Sequence, residues 1–191
     1  GRLAQLGERG VRNAEVGGSN PLPSTIFFEK KMRFLVDCML GKLAKWLKIL
    51  GFDTLYFSRA DDDDLLELAR REKRFLLTRD HSLLERLDKG RGLFIESEDW
   101  RQQVCQVLEN LNLWSKVDPF SRCLHCNVRL KRLSRANARN LVSSFVYEKA
   151  RRFAICPHCN RVFWQGTHFQ AMESELASIF KKVEKKNHRL I

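Results

Sequence analysis

Residues 32–57 read MRFLVDCMLGKLAKWLKILGFDTLYF, and residues 61–80 read DDDDLLELARREKRFLLTRD. MRFLV is a short apolar run that stops at Asp37, the pattern of a buried strand. Leu40, Leu43, Ala44, Leu47 and Leu50 then recur at helical spacing, with Lys42, Lys45 and Lys48 on the other faces. Gly51 can end that helix in a left-handed conformation without a Cβ penalty. Residues 54–57, TLYF, form a second strand. Asp61 to Asp64 open LLELARREK, where negative charge suits a helix N-terminus. Residues 75–78, FLLT, form a third strand closed by Arg79 and Asp80. Ser82 can cap the helix SLLERLDK. Residues 93–96, LFIE, form a fourth strand, and Val104, Val107, Leu108 and Leu111 mark another helix. Strands alternating with helices through short links predict an α/β fold with a mainly parallel sheet and right-handed crossovers.

That architecture gives the aspartates their meaning. Open α/β sheets bind ligands outside the carboxyl ends of their strands. Asp37 directly follows one strand and Asp80 lies two residues beyond another, so neighbouring strands would aim both carboxylates at one crevice. The helix headed by the aspartate run can point its first turn there too. Hard oxygen ligands grouped in this way repel one another unless a divalent cation, Mg²⁺ or Mn²⁺, lies between them. Such a cation activates water and neutralises charge on a phosphodiester. The plainer readings are a turn residue at Asp37, a solvated helix start at Asp61 to Asp64, and a helix cap at Asp80.

The second half carries a different chemistry. Cys123 and Cys126 form one Cys-x-x-Cys pair and Cys156 and Cys159 another, 29 residues apart, while Cys38 and Cys105 stand alone. Four thiolates at this spacing suit a tetrahedral zinc ion in a closed, structural Cys₄ site, with Pro157 presetting the second turn. In so small a module the metal supplies folding free energy that the core cannot. His125 and His158 lie inside the pairs and read as turn residues. The cysteine pattern favours zinc over disulfides and a reducing compartment, so the expected location is the cytoplasm.

Charge divides the chain at the same place. Residues 32–99 hold 13 Lys/Arg against 14 Asp/Glu, whereas residues 100–191 hold 17 against 6, a surplus of 11 out of a net +12. A basic module beside a near-neutral one points to a polyanionic partner, held by one half and processed by the other. Arg129, Lys131, Arg132, Arg135, Arg139, Arg151, Arg152 and Arg161 interleave with Phe145, Tyr147, Phe153, Phe163 and Trp164. Such a mixture can grip phosphate and stack on unpaired bases, or its aromatics can fill a small core. Phe169, Met172, Leu176, Ile179, Phe180 and Val183 form one helical stripe, for core packing or partner docking. No apolar run approaches the roughly 20 residues that span a bilayer. Residues 1–31 show no sustained period and read as a disordered or spurious leader. The stretch GSNPLPST resembles wrong-strand translation of a tRNA gene, with Met32 as the true start. The expected organisation is the leader, an α/β domain over 32–117, and a zinc ribbon with a C-terminal helix over 118–191.

RFLVDCMLGKLAKWLKILGFDTLYF, DDDDLLELARREKRFLLTRDHSLL, RCLHCNVRL and CPHCNRVFWQGTHFQAM together resemble the PIN-like RNase family named after the C-terminal region of the mut-seven exonuclease. The resemblance covers residues 33–172. It implies a three-layer PIN-like nuclease using Mg²⁺ or Mn²⁺, followed by a zinc ribbon. Its acidic ligands fall on Asp37, on Asp62 or Asp63, and on Asp80. A fourth acidic position is not placed by the motif, and Glu96 and Asp99 are its candidates. Lys42 and Arg79 match basic positions suited to phosphate. The implied function is metal-dependent hydrolysis of RNA, with the basic ribbon positioning the substrate. A non-catalytic nucleic-acid adaptor on the same scaffold is the alternative, and a zinc-ribbon protein-interaction module is a third reading.

Overall fold

The structure is a computed structural model that describes residues 32–187, with side chains to residue 181. The leader therefore lies outside the described residues, as does the side chain of Val183. Four parallel strands form the first sheet: β1 (Arg33–Val36), β2 (Asp53–Tyr56), β3 (Phe75–Thr78) and β4 (Gly92–Phe94). Their order across the sheet is β2-β1-β3-β4. The helices that connect them are α1 (Gly41–Ile49), α2 (Asp62–Glu72) and α3 (His81–Glu85), and α4 (Trp100–Asn110) follows β4. A 3₁₀ turn, Cys38–Leu40, joins β1 to α1.

Alternation along each strand separates two apolar faces. Phe34 and Val36 face a cluster with Leu43, Leu47, Val104 and Val107 from α1 and α4. Leu35 and Leu76 face a second cluster with Leu65, Leu66, Ala69 and Leu83 from α2 and α3. Helices thus cover both faces, as a parallel sheet requires. The mixed α/β class and the parallel sheet agree with the sequence expectation.

The second sheet is antiparallel, in the order β5 (Lys131–Leu133), β6 (Phe153–Ile155), β7 (Val162–Trp164). Two short helices, α5 (Arg135–Ala138) and α6 (Ser144–Lys149), close a small core around Ala138, Ala150 and Phe153. The long α7 (Thr167–Asn187) returns to the first sheet: Leu176 and Ile179 are buried in the α1/α4 cluster, and Met172 and Phe180 pack against it. Phe169 contacts Phe120, ring centroids 4.2 Å apart. The apolar stripe of the sequence is therefore core packing. Among the described residues no helix is long and apolar enough to cross a membrane.

The first Cys pair is docked onto the α/β part by hydrogen bonds. The Asn127 side chain, buried beside edge strand β2, accepts from the Thr54 N–H at 3.0 Å and donates to Asp53 Oδ1 at 2.9 Å. Arg122 donates to the Gly51 carbonyl at 2.9 Å, and Phe120 N–H to the Ile49 carbonyl at 2.7 Å. Docking there blunts an edge strand that would otherwise be open to foreign pairing. Gly51, at φ +91°, sits at this junction, and a Cβ on it would lie 2.3 Å from the Asp118 carbonyl oxygen.

Candidate active site and zinc centre

The strand order places a topological switch between β1 and β3, because α1 leads from β1 to one side and α3 leads from β3 to the other. Ligand crevices of open α/β sheets form at such points. Asp37 leaves β1 here, with its N–H donating to the Leu77 carbonyl of β3 at 3.0 Å. The residue is only 6% exposed, and its Oδ2 accepts from the Thr78 hydroxyl at 2.7 Å. The same Thr78 oxygen accepts from the Asp80 N–H at 3.0 Å. One buried hydroxyl thus connects the two strand-end aspartates.

Asp80 also caps α3. Its Oδ1 accepts from the Ser82 N–H at 2.8 Å, the Ser82 hydroxyl at 2.7 Å and the Leu83 N–H at 3.4 Å. The cap expected at Ser82 therefore lies two residues earlier, because an extended backbone at Asp80 aims its carboxylate back at the first turn. These donors, the Ser82 hydroxyl foremost, hold the Asp80 carboxyl below its usual pKa. Beside Asp37, the exposed Cys38 thiol is pushed up, first by its hydrogen bond to the Asp37 carboxylate.

The aspartate run resolves in register. Asp61 is the N-cap residue of α2, and Asp62, Asp63 and Asp64 fill the first turn. Asp63 pairs with Arg86, and Asp62 lies 3.9 Å from the same guanidinium. Lys42 is exposed in the first turn of α1, where the helix dipole disfavours a cation but welcomes the anion it could hold. Arg79 is 3.4 Å from Glu98, a partner that the sequence alone did not identify. Glu96 follows β4 at the same end of the sheet, since Ile95 N–H donates to the Thr78 carbonyl at 2.8 Å. Asp99 instead caps α4 through the Arg101 N–H.

Cys123, Cys126, Cys156 and Cys159 come together as the sequence spacing implied. Their sulfurs all lie within 4.8 Å of one another, and no other set of three or more His, Cys, Asp or Glu does so among the described residues. The acidic positions are more widely spread. Cys123 Sγ and Cys159 Sγ are 3.8 Å apart. A tetrahedron with Zn–S bonds of about 2.3 Å has edges of about 3.8 Å, so the thiols fit a zinc ion. Crowding opposes ionisation without a cation: the Cys159 thiol, with burial and the other sulfurs, pushes Cys126 up to about 12. Burial acts in the same direction on Cys156, but the N–H groups of Cys159 and His158, with hydrogen bonds from the Cys159 and Cys123 thiols, outweigh it and bring that thiol to about 7.

Each Cys pair is followed by an asparagine in the left-handed region, Asn127 at φ 59° and Asn160 at φ 56°. Their N–H groups donate to the carbonyls of Cys123 and Cys156 at 2.8 and 2.9 Å. The repeated Cys-x-x-Cys-Asn was the signal for this turn. Asparagine tolerates that conformation better than other non-glycine residues.

A parallel α/β sheet with carboxylates at its switch point, joined to a four-thiol ribbon, defines the class of protein. The chain belongs to the Mut7-C RNAse domain family, whose description matches residues 32–176. It is 33% identical over 117 residues to the human exonuclease mut-7 homolog, covering 58% of this chain and 13% of that protein. The chain thus spans about an eighth of that relative's length. No solved structure matches it.

Proposed function

We propose that this chain is a divalent-cation-dependent ribonuclease of the PIN-like type. One observation carries the reading: in a chain of an RNase family, Asp37 and Asp80 leave adjacent strands at the sheet's switch point and share the Thr78 hydroxyl. Thr78 and Ser82 engage Asp37 Oδ2 and Asp80 Oδ1, as outer-shell groups orient carboxylate ligands. Asp37, Asp80 and either Asp62 or Asp63 supply hard oxygen donors suited to Mg²⁺ or Mn²⁺. When bound, such a cation supplies an activated water and neutralises charge on the scissile phosphate. Of the two candidates for a fourth carboxylate, Glu96 follows β4 at the same end of the sheet, whereas Asp99 caps α4. The expected products are a 5′-phosphate and a 3′-hydroxyl.

Lys42 and Arg79 face the phosphodiester in this reading. The Arg79–Glu98 pair involves a nearly fully exposed glutamate, and such pairs are weak enough to exchange for phosphate. The four cysteines hold a structural zinc ion that fixes the ribbon. Residues 121–166 carry ten Lys/Arg against one acidic residue, Glu148, a charge balance complementary to RNA.

A second reading, a nucleic-acid adaptor without catalysis, is favoured by the intramolecular use of the acids: Asp80 caps α3 and Asp63 pairs with Arg86. Cleavage of labelled RNA in Mn²⁺, Mg²⁺ or EDTA separates the two. The ribonuclease cuts only with the metal, whereas the adaptor binds equally well in EDTA and never cuts.

A further inference from the structure

His81 is the one histidine among residues 32–117, and it opens α3 directly after Asp80. Its imidazole lies almost parallel to the Phe94 ring, with centroids 3.8 Å apart and an angle of 12° between the planes. Phe94 is partly buried and His81 is exposed. A flat ring covered on one face at stacking distance keeps its other face for solvent. Strand alternation fixes where the pair sits. Phe94 ends β4 opposite Thr78 in the β3–β4 register. Leu77 and Leu93, one residue earlier on each strand, face the α1/α4 cluster, so Thr78 and Phe94 turn to the face covered by α2 and α3. The Asp37 carboxylate lies on that face as well, since it meets the Thr78 hydroxyl at 2.7 Å. The His81 ring is also within electrostatic reach of Asp80: it adds to the Ser82 and Leu83 donors that lower the Asp80 carboxyl. The stacked pair therefore shares one face and one end of the sheet with Asp37 and Asp80.

We propose that the His81–Phe94 stack is a base platform: the outer face of the imidazole stacks on one unpaired base of the RNA strand whose phosphodiester lies at Asp37 and Asp80. Histidine is one of the side chains on which splayed-out RNA bases stack. An aliphatic side chain would cover Phe94 equally well, whereas a ring at this exposed place adds a second flat surface. Phe94 holds the imidazole in a fixed plane, so a base that joins the stack orders little that is not already ordered. Every base has a π-face, so the contact tolerates any sequence. A base inside a duplex has both faces taken by its neighbours and must be unstacked first. The platform therefore selects unpaired RNA with little regard to sequence.

RNA as the ligand rests on the ribonuclease reading, and binding measured without cleavage keeps the two apart. Fluorescence anisotropy without Mg²⁺ or Mn²⁺, on protein carrying its zinc, compares a short oligouridylate with a ribose-phosphate strand of the same length that lacks bases. His81→Ala should bind oligouridylate about tenfold more weakly than wild type and the abasic strand equally well. His81→Phe keeps a ring and removes the N–H groups, and should match wild type on both strands. A loss shared equally by the two strands, as a misfolded variant or an imidazole–phosphate hydrogen bond would give, would overturn the platform. So would unchanged affinity in His81→Ala, His81→Phe as weak as His81→Ala, or no binding of oligouridylate by wild type. A base-dependent loss in His81→Ala, with no cleavage by wild type once Mn²⁺ is added, would support the platform and overturn the ribonuclease reading alone.

Discussion

The Thr78 hydroxyl donates to Asp37 Oδ2 at 2.7 Å and accepts from the Asp80 N–H at 3.0 Å, so one fully buried side chain ties the Asp37 carboxylate to the Asp80 backbone. Its environment explains why the residue is threonine. Thr78 is fully buried and Asp37 nearly so, and the hydroxyl gives the Asp37 carboxylate a buried donor. Thr78→Val keeps the shape and removes the hydroxyl. Leaving a buried acceptor without its donor costs about 1–3 kcal/mol, which a urea melt measures. Losing an outer-shell contact to a metal ligand lowers activity by roughly 10- to 100-fold. Thr78→Ser should restore most of both quantities.

Asn127 serves two structures at once. Its backbone turns the first Cys-x-x-Cys knuckle and its side chain grips Thr54 and Asp53 of β2. Asn127→Ala should destabilise the chain by about 1–3 kcal/mol, chiefly by leaving the buried Thr54 N–H unpaired. A left-handed alanine adds a further ~1 kcal/mol. Asn127→Gly removes only the second penalty, so the difference between the two variants isolates the backbone contribution. Amide exchange at Thr54 should accelerate in both, with zinc content unchanged.

Acid should unfold this chain partly through Asp53. Arg74, 4% exposed, donates to Asp53 Oδ1 at 2.7 Å, to Glu72 Oε2 at 2.8 Å and to the Phe34 carbonyl at 3.1 Å. Burial pushes the Asp53 carboxyl up, but Arg74, Asn127 and Arg122 together hold it below its ordinary value of 3.8. A carboxyl depressed in the folded state binds fewer protons there than in the unfolded chain. Its contribution is therefore complete above pH ~4 and fades as pH falls through the lower, folded value. Urea midpoints taken from pH 6 to pH 3 should fall less steeply for Asp53→Asn than for wild type.

The thiol cluster predicts one zinc per chain. Titrating the thiols with a mercurial should release it, as read by a chromogenic chelator. The apo protein should lose the β5–β7 sheet, whose own core is small, and keep the parallel sheet with its two larger clusters. A zinc-free chain retaining the β5–β6–β7 amide protection would contradict this.

Much of the architecture was legible because local signals agree with it. Apolar runs of strand length ended at Asp37 and Thr78, helical periods lay between them, and the Cys pairs carried their own spacing. The α2 boundary followed from charge, since acids favour a first turn. What escaped the sequence depends on residues distant along the chain. Nothing around Thr78 shows that its hydroxyl meets a carboxylate 41 residues away. Arg74 reads as one more surface cation until Asp53 and the Phe34 carbonyl are seen around it. The C-terminal stripe was visible as a period, but its partner, the α1/α4 face, was not. Asp80 carried two readings, cap and ligand, and its geometry shows the cap while leaving the carboxylate beside Asp37's strand.

The proposed ribonuclease stands on Asp37 as the anchor of its metal site. The most direct measurement compares wild type and Asp37→Asn, each purified with one zinc per chain, on labelled single-stranded RNA in Mn²⁺ and in EDTA. Cleavage by wild type in Mn²⁺ alone, absent from Asp37→Asn while RNA affinity persists, is the predicted result. Equal cleavage by the two proteins, or cleavage that survives EDTA, would contradict it.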